Sequence, residues 1–128
     1  MPEAPPRPTD AELEILTALW SLGPATVREV HEVINRRRIA QYSTVLKFMQ
    51  IMAEKGLVRR DEEQRAHVYR AARSREWTQK QLAGDLLQRA FNGSATRLLM
   101  GALSARKASK NELAEMRRLI EEYEKGAE

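Results

Sequence analysis

Between Ala40 and Tyr69 the chain sets out three kinds of local structure in a fixed order. Gln41-Tyr42-Ser43-Thr44 is a run of short polar residues and one aromatic, followed by Val45, Phe48, Met49 and Met52 at helical spacing. Lys55-Gly56 supplies a stop, since glycine accepts the left-handed backbone that ends many helices. Leu57-Val58-Arg59-Arg60 and Ala66-His67-Val68-Tyr69-Arg70 then flank the charged turn 61–65, as two strands flank a hairpin. A polar-started helix of about residues 41–55, a glycine stop and a basic hairpin leave few folds open. On this pattern Val58 and Val68 face the helices, while Arg59, Arg65 and Arg70 face out.

Two helices precede this segment. Thr9-Asp10-Ala11-Glu12 is a capping box, in which the threonine hydroxyl and the glutamate carboxylate each satisfy an orphan backbone N–H. Leu13, Ile15, Leu16, Leu19, Trp20 and Leu22 continue as a wide apolar face, and Gly23-Pro24 ends it. Thr26-Val27-Arg28-Glu29 is a second box, with Val27, Val30, Val33 and Ile34 toward a core and Asn35 with Arg36-Arg37-Arg38 at the end. Three helices followed by a hairpin define a winged helix-turn-helix, and the fold class expected is mainly α.

Beyond the hairpin, Ser74 to Phe91 is a long helix broken by Asn92-Gly93, and Ser94 to Ser104 is a short one. Asn92-Gly93-Ser94 also matches a glycosylation sequon but reads here as a helix break. Ser109-Lys110-Asn111-Glu112 opens, as a third capping box, a last helix to about Lys125. These helices carry more apolar surface than a short tail buries by itself, so they are expected to pair with another chain. The organisation expected is a disordered, proline-rich arm over 1–8, a DNA-binding domain over 9–73 and a helical dimerisation region over 74–128.

Charge is uneven. The whole chain carries a formal +4 with a pI near 9.7. Residues 36–60 hold seven basic side chains against the single acid Glu54, a local +6, whereas 109–128 is −2. The positive charge therefore surrounds the polar-started helix, where a polyanion would be met. In a helix-turn-helix the second helix lies in the major groove with its N-terminal residues at the base edges. Gln41, Ser43, Thr44 and Lys47 are of the types that read bases: glutamine grips adenine, lysine reaches guanine, serine and threonine suit either. Tyr42 is placed for the sugar–phosphate backbone, and Leu46, taken as exposed, for a thymine methyl. Arg38 and, in the hairpin, Arg59, Arg60 and Arg65 are candidates for phosphates or the minor groove.

Other chemistries find little support. With no cysteine there is neither a disulfide nor a Cys-ligated metal, which fits a reducing cytoplasm. Two histidines on different elements, His31 and His67, fall short of the three or four ligands of a zinc site. No nucleophile elbow, phosphate-cradling glycine loop or His-Glu-x-x-His occurs, so neither an enzyme nor a cofactor is expected. No run of about 18 apolar residues spans a bilayer, so no direct membrane association is expected. A winged helix that binds an acidic protein instead of DNA is the rival reading.

At this point the chain resembles a known family. Thr9-Asp10-Ala11-Glu12 with Trp20, Ser43-Thr44-Val45, Lys55-Gly56-Leu57, His67-Val68-Tyr69 and Phe91-Asn92-Gly93-Ser94 occur in the order found in the penicillinase-repressor (BlaI/MecI/CopY) family of bacterial transcriptional regulators. The likeness covers about residues 9–125. It implies a homodimeric repressor on double-stranded operator DNA of two-fold symmetry, with the C-terminal helices forming the dimer. The residues that would form it are Leu86, Leu98, Leu99, Leu103, Leu113, Met116, Leu119, Ile120 and Tyr123. It also implies an indirect partner, a membrane-bound sensor protease whose signal leads to cleavage of the repressor and loss of the dimer.

Three departures stand out. The family's Asn-Phe cleavage bond falls on Gly101-Ala102, and Met100-Gly101-Ala102-Leu103 lacks that pair. This leaves another bond, another protease or another trigger open. The copper-responsive branch uses C-terminal cysteines, which are absent here, so copper sensing is not expected. Ile51 stands where members often carry arginine.

Overall fold

The computed structural model describes residues 7–63 and 65–127; the expected arm over 1–8 lies mostly outside them. The described elements run α1 (Asp10–Leu22), β1 (Ala25–Thr26), α2 (Val27–Arg37), α3 (Tyr42–Lys55), β2 (Val58–Asp61), β3 (Val68–Ala71), α4 (Arg75–Ala90), α5 (Ala95–Ala105) and α6 (Lys110–Gly126). They divide into two compact units, one ending at Leu82 and one beginning at Ala83. The division falls inside α4.

In the first unit, both expected capping boxes form. Thr9 and Thr26 accept from the N–H groups of Glu12 and Glu29, and both carboxylates accept in return. Gly23 (φ 78°) and Gly56 (φ 83°) end α1 and α3 in backbone that a side chain rarely adopts. At Gly56 the Leu57 N–H reaches back to the Met52 carbonyl at 2.9 Å, which satisfies a carbonyl the helix end would leave orphaned.

The core lies among α1, α2, α3 and the sheet. Leu19, Val30, Met49, Met52, Val58 and Tyr69 are its most deeply buried apolar members. Each such side chain contributes about 1.5–3 kcal/mol of transfer free energy. Phe48 and Val33, expected in the core, are half-buried against it.

The sheet corrects the sequence reading twice. It has three strands, because Ala25-Thr26 adds an edge to the hairpin in the order β1-β3-β2. Its register then puts Tyr69 opposite both Ala25 and Arg60, and Tyr69 rather than Val68 enters the core. Val68, expected to face the helices, is only half-buried. Successive strand side chains alternate faces, so turning Tyr69 inward turns its neighbour away.

One buried charge ties α1 to α3. Glu12 is 1% exposed, and its Oε2 accepts from Lys55 Nζ at 2.8 Å while Oε1 accepts from the Thr9 N–H. Burial pushes the carboxyl up, but the Lys55 and Thr9 hydrogen bonds outweigh it and hold its pKa below the ordinary 4.5. A carboxyl whose folded pKa is depressed adds stability above its unfolded value and loses it as pH falls through the folded one. Acidification from about pH 5 to pH 3 should therefore lower the urea midpoint of the native protein. Glu12→Gln should flatten that part of the profile; an unchanged acid slope in the variant would assign it to other groups.

Trp20 Nε1 donates to the Arg73 carbonyl at 3.0 Å, and the Arg73 guanidinium lies 4.8 Å from the Trp77 ring centroid. The chain leaving the hairpin is thus fastened to α1 just before α4 starts.

In the second unit, Asn92 (φ 51°) and Gly93 (φ 80°) turn the chain between α4 and α5, as the Asn-Gly pair implied. Ser94 caps α5 by accepting from the Arg97 N–H. The third capping box forms only in half. Ser109 accepts from the Glu112 N–H, but the Glu112 carboxylate lies 3.5 Å from Arg106 instead of returning to the Ser109 backbone. No residue of α5 or α6 is buried.

Candidate nucleic-acid interface

The interface candidate starts at the turn between α2 and α3. Arg38 ends α2 with its N–H on the Ile34 carbonyl. Ile39 is 93% exposed, and Gln41 is the N-cap of α3. Unlike Thr9, Thr26, Ser94 and Ser109 at their helices, Gln41 makes no capping bond with its side chain. The first turn of α3 therefore presents backbone N–H groups with no cap beside the unpaired side chains of Gln41, Ser43 and Thr44. Such a helix end carries partial positive charge and favours an anion. Among the described residues, the side chains of Gln41, Ser43, Thr44 and Lys47 are exposed and make no hydrogen bond.

Tyr42 is 47% exposed and meets the His31 ring edge-on, with centroids 5.8 Å apart. Arg38, Gln41 and Thr44 come together around one shallow cavity of about 210 Å³, which Glu14 and Ile39 also line.

Two of the expected contacts are differently placed. Leu46, taken as exposed, is half-buried against the core. A thymine methyl would therefore meet only part of its side chain. Arg38 is held by Glu14 of α1, with Nη2 at 2.6 Å from one carboxylate oxygen, so it must exchange that partner to meet a phosphate. Glu14 also raises the Arg38 pKa through this hydrogen bond and its charge.

In the hairpin, Arg59 and Arg65 are exposed. Arg60 stands opposite Tyr69 on the inward-facing side of β2, where the Tyr69 hydroxyl and Glu62 engage it. Arg59 stands directly opposite Arg70 in the antiparallel register, and both are exposed. Like charges at opposed positions cost stability, and a phosphate between them relieves the repulsion. The sequence places Arg70 on the outward face but leaves it out of the candidate site; the register adds its position directly opposite Arg59. Among the described residues no ion pair engages Lys47, Arg59, Arg65 or Arg70, and no group of acids and histidines could hold a metal ion.

Three helices, the third with a polar and unpaired start, followed by an antiparallel hairpin with a basic cross-strand pair, define the molecule as a winged helix-turn-helix protein. The penicillinase repressor family model matches residues 8–122, and the chain belongs to that family. It is 33% identical over 118 residues to the transcriptional regulator BlaI of Mycobacterium tuberculosis strain CDC 1551 / Oshkosh, covering 91% of this chain and 85% of the relative. The same identity and coverage hold for the transcriptional regulator BlaI of strain ATCC 25618 / H37Rv.

Proposed function

We propose that the protein is a dimeric transcriptional repressor that binds an operator of two-fold symmetry through α3 and the hairpin wing, and that loss of the dimer releases the DNA. The observation that carries the reading is the start of α3. Gln41, Ser43, Thr44 and Lys47 stand exposed and unpaired on a helix whose other face, Val45, Met49 and Met52, is locked into the core. Family membership supports the same reading. A rigid helix with a free polar end suits base reading, because its contacts need no rearrangement of the protein. Arg59 and Arg70 supply the sequence-independent part through phosphates, and Arg38 joins them once it leaves Glu14.

The second unit supports dimerisation. Leu86, Leu99, Leu103, Leu119, Ile120 and Tyr123 are exposed on α4, α5 and α6, and Leu98, Leu113 and Met116 are half-buried. A second copy is the occupant that matches the symmetry of an operator. Gly101 and Ala102 lie within α5, and a Cβ on Gly101 would stand 3.4 Å from the Phe91 ring. A protease that cuts there must first unwind the helix, so cleavage would act on a locally opened α5. No described helix is long and apolar enough to cross a membrane. The DNA-reading role places the proposed repressor with the chromosome in the cytoplasm, and a membrane-bound sensor would reach it only indirectly.

DNA selected from random sequence supplies the test. Lys47→Ala and Gln41→Ala should each weaken binding to the selected site by about 1–3 kcal/mol, with little loss on unrelated DNA. Unchanged gel-shift affinity in both variants would remove α3 as the reader.

A further inference from the structure

The turn ahead of α3 is gripped from α2 at one residue. His31 Nε2 donates to the Ala40 carbonyl at 2.6 Å, and the Ala40 N–H donates to Asn35 Oδ1 at 3.1 Å. His31 and Asn35 are four residues apart on α2 and so project from one face. One gives a hydrogen and the other accepts one, so both backbone groups of Ala40 are held by side chains of another helix. A carbonyl only accepts, so His31 must carry its hydrogen on Nε2. The same ring packs edge-on against Tyr42, the first residue of α3.

We infer that His31 and Asn35 form a two-point clamp that positions the base-reading end of α3, making them positioning residues for sequence discrimination. The inference rests on the DNA-reading role proposed above. α3 lacks a side-chain cap of its own, so ahead of the buried Val45 its start is held through Ala40, the residue just before the N-cap. Hydrogen bonds to base edges demand placement within about 0.5 Å, whereas phosphate contacts by long cations tolerate displacement. Releasing the clamp should therefore cost specific binding and spare the sequence-independent part.

The experiment compares wild type, His31→Ala, His31→Gln and Asn35→Ala, each on the selected site and on unrelated DNA over a salt series, with thermal unfolding of each. His31→Ala and Asn35→Ala should lose about 10-fold in affinity for the selected site, keep their affinity for unrelated DNA and keep the salt slope. His31→Gln, whose amide can still donate to the carbonyl, should recover part of the loss. If His31→Ala is too unstable to assay, Asn35→Ala and His31→Gln carry the comparison. Equal losses on both DNAs, or an unchanged ratio between them, would reduce the clamp to ordinary structural support and overturn the inference. A wild type with no sequence preference would remove the DNA-reading role itself, a failure visible before any variant is made.

Discussion

Leu119→Asp should convert the dimer to a monomer and lower operator affinity by about 10²–10⁴-fold, the gain that linking two binding modules ordinarily supplies. Leu119 is 51% exposed on α6, beside Ile120 at 50% and Tyr123 at 75%. Side chains this apolar and this open in a helix with no buried residue make the face that the proposed dimer would cover. An aspartate there would have to shed its water on pairing, and a two-fold interface repeats the cost in both copies. The position is solvent-facing within its own helix, so the helical content of the chain should barely change. Light scattering that still gives a dimer in this variant would move the seam away from α6. A monomer that keeps full operator affinity would separate dimerisation from binding altogether.

The second large effect belongs to the wing. Tyr69→Ala should destabilise the first unit by about 3–5 kcal/mol, the range for removing a buried aromatic ring. Tyr69 is 1% exposed, and it stands in the middle strand with Ala25 on one side and Arg60 on the other. The cavity would open where the sheet meets α1. Against a typical domain stability of about 5–15 kcal/mol this is a large fraction, and DNA binding should fail with it at raised temperature. Tyr69→Phe keeps the ring and loses only the hydroxyl's bond to Arg60, so it should cost about 0.5–1.5 kcal/mol. Urea melts of the two variants check the ranking; similar midpoints would show that the hydroxyl, not the ring, holds the strand.

What was legible in the sequence was local. The boxes at Thr9 and Thr26, the stop at Gly56 and the reversal at Asn92-Gly93 are each written within four residues and formed as read. What was not legible depended on partners far along the chain. β1 is two residues long and doubles as the start of α2, so it leaves no alternating pattern. His67-Val68-Tyr69 offers apolar side chains to both faces of a strand, and only pairing with Ala25 and Arg60 decides which turns inward.

Leu46 is a similar case on a helix. It is three residues before Met49 and seven before Ala53, on the flank of the buried stripe, and contact with the core draws it in. Lys55 and Glu12 are separated by 43 positions, and nothing local to either announces the pair. In the candidate site the residue types were legible at α3, whereas the Arg59–Arg70 pairing, the Glu14–Arg38 pair and the grip on Ala40 needed the fold.

In the proposed complex two copies of α3 read one symmetric site. Footprinting on DNA selected from random sequence, with the stoichiometry of the complex measured on the same fragment, tests it most directly. Two inverted half-sites about one helical turn apart, roughly 34–36 Å, should be protected together by two chains. Selection that enriches no sequence, or a single half-site fully protected by one chain, would contradict it.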